Sequence, residues 1–366
     1  MRIVFVAWQG SEHTRRWAGF FAERGHEVHV VTCGDAPAAT GTASSTYAVH
    51  DLGDPRFGKP GYLLKIPRAR RLIRSLAPDV VHAHHATSYG LLAATAGVRP
   101  LAVTCHGSDV LVSGRKRVMR RLLKWVFDRA DVVTAPAEHV GEAVRAVGTR
   151  TEVVVFQYGV EVERLRAVGA AVREARDGDP QVVRLATARG LDAIYNTDDV
   201  ARAVALLRER GVDCVFEVAG RGSEEEALRQ LVQELDVADR VIFHGHVPEP
   251  TAEALIAAAD VFVSVADSDG VSIALFEAMA LGPVPLLSDI QANRLWVHDG
   301  ENGILVEIDP SAIADGILRA LELDREDVRR RNLELVRERG DRETNLAACE
   351  ALLERLVRRA AGSNAA

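Results

Sequence analysis

A strand, a tight turn, a helix and a second strand follow one another between Val261 and Val306, and no other stretch limits the fold as much. The run VFVSVA from Val261 to Ala266 is apolar, rich in β-formers and of strand length. The polar loop Asp267-Ser268-Asp269-Gly270 follows. Ser272 is placed to cap a helix, and Ile273 to Leu281 read as a short helix stopped by Gly282-Pro283. Val284 to Leu287 is apolar again and reads as the next buried strand. Together these make a βαβ unit, so the fold class is α/β.

The turn of that unit is where chemistry is expected. Gly270 lets the backbone approach a ligand closely. The amides of Ser272, Ile273 and Ala274 open the helix, where N–H groups lack helical partners and the dipole adds positive charge. Such an end receives phosphate or sugar oxygens. Asp269 stands just before the helix and Glu277 eight residues further on. That spacing separates the carboxylates by about two turns. Two acids so placed do not share one proton at one bond; they suit gripping two hydroxyl-bearing parts of one long ligand.

The rest of the chain repeats the alternation. Arg2 to Ala7 is a strand, Gln9-Gly10-Ser11 a turn, His13 to Arg24 a helix ended by Gly25, and Glu27 to Thr32 a strand. Trp8 and Trp17 read as core. Residues 34–60 read as a long irregular loop or weak hairpin. Arg68 to Leu76 is a helix and Asp79 to His82 begins a strand. Strand alternation puts His82 and His84 on one face and His85 on the other, and no carboxylate is spaced to complete a metal site, so these read as strand-end polar residues. Leu101 to Thr104 is a strand ending in Cys105-His106-Gly107-Ser108-Asp109. Asp131 to Ala135 is a strand, Glu138 to Val147 a helix and Glu152 to Phe156 a strand. Residues 162–180 read as a linker, and Val182 to Ala188 opens the second half. Val215 to Ala219 leads into Gly220-Arg221-Gly222, but Glu225 stands where a dinucleotide fingerprint needs glycine. Val241 to Phe243 is a strand, Glu253 to Ala259 a helix, Asp309 opens the last domain helix, and Leu346 to Arg359 is a terminal amphipathic helix.

Bulk properties narrow the class. A chain of 366 residues with 48% apolar content suits two domains with sizeable cores. A net charge of −7 argues against a nucleic-acid protein. No apolar run reaches the length of a membrane span, and the N-terminus reads as a buried strand, not a signal peptide. Cys33, Cys105, Cys214 and Cys349 are scattered and form no metal-spaced pair, which fits thiols in a reducing cytoplasm. Six basic residues fall between Arg115 and Lys124, interleaved with Val118, Met119, Leu122 and Leu123. Such a helix either lays a solvated basic face over the core or rests on anionic lipid.

Asp269-Gly270, Glu277-Ala278-Met279-Ala280, Gly282-Pro283-Val284, and then Asp299-Gly300, Asn302-Gly303 and Leu305-Val306 resemble the E-x7-E signature of retaining glycosyltransferases of family 4. One departure is Asp269, where the family has Glu. The stretch from His13 to Val30, Cys105-His106-Gly107-Ser108-Asp109, and Gln157-Tyr158-Gly159-Val160-Glu161 resemble further segments of that family. The resemblance implies the GT-B fold, two Rossmann-like domains facing each other across a cleft. It gives an acceptor-side domain over 1–160, a nucleotide-sugar domain over 161–340, and a helix over 341–366 returning to the first domain. It assigns His106, Asp269 and Arg189 to catalysis. Glu277, Gly270, Val271, Ser272, Ile273, Ala274, His246, Gly10 and Arg294 are assigned to donor binding. Arg189 matches a phosphate-binding family Arg, whereas the Lys expected five residues on is replaced by Ile194. Arg294 is a candidate replacement.

The implied activity is transfer from a UDP- or GDP-sugar to a small-molecule, saccharide or lipid-linked acceptor, in natural-product or surface-polysaccharide synthesis. It needs neither metal nor cofactor, and Asp267-Ser268-Asp269 is not read as a metal motif. A sugar-nucleotide epimerase of the same fold and a non-catalytic sugar-nucleotide binder are the rivals.

Overall fold

The computed structural model describes residues 1–34, 46–55, 60–175 and 182–364. The chain divides into two compact units, Met1–Tyr158 with Thr344–Ala366, and Gly159–Glu343.

The first unit is built on a seven-stranded parallel sheet. Its strands are β1 (Arg2–Val6), β2 (Glu27–Thr32), β3 (Ala48–Asp51), β4 (Val80–His84), β5 (Leu101–Thr104), β6 (Val132–Ala135) and β7 (Val153–Val155), in the order β3-β2-β1-β4-β5-β6-β7. Its helices are α1 (Glu12–Glu23), α2 (Gly61–Ser75), α3 (Tyr89–Ala96), α4 (Ser108–Leu111), α5 (Arg117–Phe127) and α6 (Glu138–Ala146). Strands covered on both faces read as continuous apolar runs, and Ile3, Val4, Phe5 and Val6 are all fully buried. Trp17 and Phe21 of α1 pack on Phe5 and His82.

The second unit begins with α7 (Val162–Glu174) and has a six-stranded parallel sheet. The strands β8 (Val183–Thr187), β9 (Cys214–Ala219), β10 (Val241–Gly245), β11 (Val261–Ser264), β12 (Val284–Ser288) and β13 (Ile304–Val306) run in the order β10-β9-β8-β11-β12-β13. Between and after them lie α8 (Thr197–Glu209), α9 (Glu225–Glu234), α10 (Glu249–Ala258), α11 (Ile273–Leu281), α12 (Gln291–Arg294), α13 (Pro310–Glu322) and α14 (Arg325–Arg339). The last helix, α15 (Arg342–Asn364), belongs from Thr344 onward to the first unit. There it buries Leu346, Cys349, Leu353 and Leu356. Its Glu350 takes an ion pair from Arg24 at 2.8 Å and faces His26 at 2.6 Å.

Both sheets reverse strand order once, between β1 and β4 and between β8 and β11. At such a reversal the connections leave to opposite sides and open a crevice at the strands' C-terminal ends, where α/β proteins bind ligands. The residues reached there are Trp8 to Gly10 and His85 in the first unit, and Arg189 and Asp269 in the second.

Several elements differ from the sequence reading. Within residues 34–60, Ala48–Asp51 is a strand parallel to β2, with His29 opposite Ala48, where an irregular loop or weak hairpin was expected. Residues 35–45 and 56–59 of it lie outside the described residues. The helix expected from Arg68 begins at Gly61 and carries Pro67 inside it. The stretch read as a linker forms α7, which buries Val162, Leu165 and Gly169, while 176–181 lie outside the described residues. Two helices, not one, lie between Asp309 and the terminal helix α15. Trp8 is 47% exposed instead of in the core, whereas Trp17 is buried.

Helix α7 packs on α10 and α11. Arg164 clamps the buried Glu253 of α10 through two hydrogen bonds, one of 2.8 Å. Gly169 lies so close to the last carbonyl of α11 that a Cβ there would collide with Leu281 O. Gly169→Ala is therefore expected to destabilise the second unit by about 1–3 kcal/mol through forced separation of the helices. Urea unfolding checks this, and an unchanged midpoint would contradict the close seating of α7.

Candidate active site

In the second unit the site grows from the ends of β8 and β11. After β8 the chain turns through Arg189-Gly190-Leu191, and Leu191 N donates to Arg221 O at 3.0 Å. The turn after β9 can lie against this backbone only because Gly220 has no Cβ; one there would collide with Arg189 O. After β11 the loop reaches Asp269 and then Ser272, the cap of α11. The two loops are laced together: Asp267 N donates to Ile194 O at 3.0 Å, and Asn196 Nδ2 donates to Val265 O at 2.9 Å and Asp267 Oδ1 at 3.1 Å.

Arg189 joins them at the centre. Its Nη2 donates to Asp269 Oδ2 at 2.7 Å and its Nη1 to Ser272 Oγ at 2.7 Å. The guanidinium lies over the Tyr195 ring, 4.6 Å from its centroid. Its Nε is buried with no hydrogen-bond partner among the described residues. The Ser272 hydroxyl also accepts from Leu275 N at 3.2 Å. As first and second residues of α11, Ile273 and Ala274 have amides without an i−4 partner. Glu277 sits half-buried further along α11 and Gly270 is buried beside Val271. The structure thus brings Arg189, Asp269, Gly270, Val271, Ser272, Ile273 and Ala274 to one place. His246 is exposed just past β10. Arg294 is held by Asp289, with Nη2 2.8 Å from Oδ2, and no described contact joins it to Arg189.

In the first unit His106 follows β5. The buried Asp109 carboxylate shapes its loop by accepting from the amides of Ala86 at 2.8 Å and of His106 and Gly107 at 3.1 Å each. Around the His106 ring stand other rings. His85 stacks on it at 3.9 Å from a left-handed backbone, φ +65°. His84 Nδ1 lies 3.2 Å from His106 Nε2. Tyr158 and His13 have centroids 5.2 and 5.9 Å away. Tyr158 Oη donates to Cys105 O at 2.7 Å. Beneath, His82 Nε2 is 2.6 Å from Thr104 Oγ1, which bonds Thr134 Oγ1 at 2.7 Å. Gly10 lies at the end of β1, its carbonyl accepting from Arg15 at 3.0 Å and its face covered by the Trp8 ring.

Burial sets the charge of this cluster. It holds His106 and His84 well below the ordinary histidine range, with neighbouring imidazoles adding to the effect. Burial, with Arg16 and His85, brings His13 down to about 4, and burial alone brings His82 down to about 3. At neutral pH these rings are uncharged, able to orient hydroxyls by donating and accepting hydrogen bonds. Sequence reasoning treated the β4 histidines only as polar strand ends, gave Tyr158 no direct role, and made Tyr195 and Asn196 pocket-lining candidates without a specific role. The one sequence signal for the cluster was the H-x-H-H spacing from His82 to His85.

Residues 2–136 match the family described as Glycosyl transferase 4-like, and residues 183–334 match Glycosyl transferases group 1. The chain is 25% identical over 314 residues to an N-acetyl-alpha-D-glucosaminyl L-malate synthase of Bacillus anthracis, covering 82% of this chain and 81% of that protein. It is 28% identical over 327 residues to a phosphatidyl-myo-inositol mannosyltransferase of Mycolicibacterium smegmatis, covering 84% and 79%. Among solved structures, a sucrose-phosphate synthase from Thermosynechococcus elongatus superposes with a TM-score of 0.82 at 16% identity, over 98% of this chain and 100% of that one. Anabaena HepE in complex with UDP and glucose gives 0.80 at 18%, over 97% and 100%. These structural likenesses establish the fold as GT-B, the class expected from the sequence.

The buried histidines make stability depend on pH with a definite sign. Their folded values lie below the ordinary 6.5, so below that pH the unfolded chain binds more protons. The stability gained by keeping them neutral is present above 6.5 and is lost as pH falls towards about 4 at His13 and about 3 at His82. Each contributes a slope of up to about 1.4 kcal/mol per pH unit. His82→Gln, which keeps a hydrogen-bonding group near Thr104, is expected to flatten the fall by one histidine's share. Denaturant titrations at stepped pH measure it, and an unchanged slope contradicts neutral burial.

Proposed function

This chain belongs to the glycosyltransferases, with a 4-like first part and a group 1 second part, and from that premise we propose that it moves a sugar from a nucleotide-diphosphate sugar to an acceptor with retention of anomeric configuration. The observation that carries the reading is the meeting of Arg189, Asp269 and Ser272 at the strand-order reversal of the second sheet. A guanidinium and an open helix start are suited to a diphosphate. That Anabaena HepE was solved with UDP and glucose on the same fold supports the donor class.

In this reading Arg189 stabilises the negative charge that grows on the leaving diphosphate. The amides opening α11 and the Asp269 carboxylate hold sugar hydroxyls, Glu277 holds the ribose, and the backbone around His246 meets the base. His106, neutral and with its loop fixed by Asp109, is assigned to orienting hydroxyls. The leaving phosphate oxygen takes the acceptor proton on the same face of the sugar. Asp269 is assigned to gripping sugar hydroxyls and not to attack on the anomeric carbon, so a same-face displacement is proposed over a two-carboxylate double displacement. The chemistry is assigned no metal: Asp269 of the D-x-D sequence is engaged by Arg189 and Asp267 by Asn196. A cytoplasmic location belongs to the same proposal; no described helix is long and apolar enough to cross a membrane.

The acceptor is proposed as a small molecule or saccharide, free or lipid-linked. Relatives are named both for an L-malate and for a phosphatidyl-myo-inositol acceptor. Helix α5 bears on the lipid-linked case. Its Leu123, Val126 and Phe127 are buried, so its apolar side is used by the core, and Val118 alone is widely exposed, at 74%. The membrane contact proposed here is therefore electrostatic, made by Arg115, Lys116, Arg117, Arg120, Arg121 and Lys124.

Glu277→Ala is expected to weaken binding of UDP or GDP about tenfold or more, the loss of one charged hydrogen-bonding partner, with the thermal midpoint within a few degrees of the parent. Calorimetric titration checks it, and unchanged affinity removes Glu277 from the donor site. Donor incubated alone should stay unepimerised, with product only when acceptor is present and the anomeric configuration retained by NMR. Co-sedimentation with phosphatidylglycerol vesicles should occur at low salt and vanish near 0.5 M salt, where screening is within a few ångströms (~4 Å); binding that survives salt contradicts a purely electrostatic contact.

A further inference from the structure

We infer that Asp269 and the donor diphosphate are alternative partners of Arg189, so that binding the donor requires an exchange of counterions. The inference deepens the donor assignment above and rests on it. Arg189 and Asp269 are only 12% and 17% exposed, and their ion pair of 2.7 Å occupies Nη2. Nη1 is held by Ser272 and one face of the guanidinium by Tyr195. Bidentate binding of a phosphate needs two adjacent N–H groups of the fork. The Nε–H is buried and without a partner, so it is one available donor. The second must come from an Nη, and Nη2 is the one held by a group of the same charge sign as the incoming ligand.

A carboxylate and a diphosphate on one guanidinium edge repel each other in a poorly solvated site. The carboxylate must turn away, and sugar hydroxyls are the neutral donors that can receive it. Asp269 thereby acts twice: it neutralises Arg189, which would otherwise be a buried unpaired cation, and it then grips the sugar. Asp269 reaches Arg189 directly from the loop before α11.

The test compares the full chain with Asp269→Asn, which keeps the shape and removes the charge. UDP and GDP are titrated calorimetrically into both. The better-bound of the two is expected to bind Asp269→Asn about fivefold or more tightly, while sugar transfer falls. Equal or weaker binding to the folded variant overturns the exchange. A second measurement guards against poor folding. The nucleotide-free variant should melt below the parent, because Arg189 has lost its neutralising partner, and nucleotide should raise its midpoint by more than it raises the parent's. Equal rises also overturn the exchange. If neither nucleotide binds the parent chain, the donor assignment itself fails and this inference falls with it, a result distinct from the preceding ones.

Discussion

Parallel strands share one polarity, and the rest of this structure depends on that constraint. Every β-strand of a sheet delivers its C-terminal residue to the same edge, and a single reversal of strand order parts the connections there. Arg189 and Asp269 are 80 residues apart in the chain and belong to different loops. They meet because β8 and β11 are neighbours across the reversal. In the first unit β4 and β5 are adjacent parallel strands on one side of the reversal, and their shared polarity brings the His84–His85 turn against His106.

How much of this was legible in the sequence depended on whether the determinant was local. The α11 unit could be read almost to the residue, because a serine cap and a glycine-proline stop act within one turn of chain. Ser272 does cap Leu275 N, and Gly282 takes the left-handed conformation, φ +115°. Helix α7 was missed because its apolar positions, Val162, Leu165, Val168 and Val172, are diluted by alanine, arginine and glycine, and they acquire meaning only against α10 and α11. Strand β3 is a short, mostly exposed edge whose pairing with β2 decides its conformation. Resemblance could nominate Arg189 and Asp269 for separate duties, but it carried no information that they touch. The imidazoles around His106 likewise come from distant loops, whereas the Tyr195 ring beneath Arg189 belongs to the same connection, six residues on.

The two candidate centres follow opposite electrostatic strategies. In the second unit a charged guanidinium is kept and balanced by a carboxylate, a hydroxyl and an aromatic face. In the first, burial strips charge from a group of imidazoles and leaves their hydrogen-bonding directions fixed by stacking, by Asp109 and by the threonine pair under His82. A centre of the first kind suits an anion whose charge changes during reaction. The second kind suits neutral polyols, which must be oriented without being ionised.

The Ser272 hydroxyl carries a consequence for what can sit beside it. Its oxygen has two lone pairs, and both are directed at protein donors, the Leu275 amide and the Arg189 guanidinium. Nothing further can be accepted there. What remains is the hydroxyl proton, so towards any further partner this buried side chain is a one-way hydrogen donor, complementary to an oxyanion and indifferent to an ammonium or amide hydrogen. Chemical selectivity at the mouth of α11 thus begins with valence, before any question of fit.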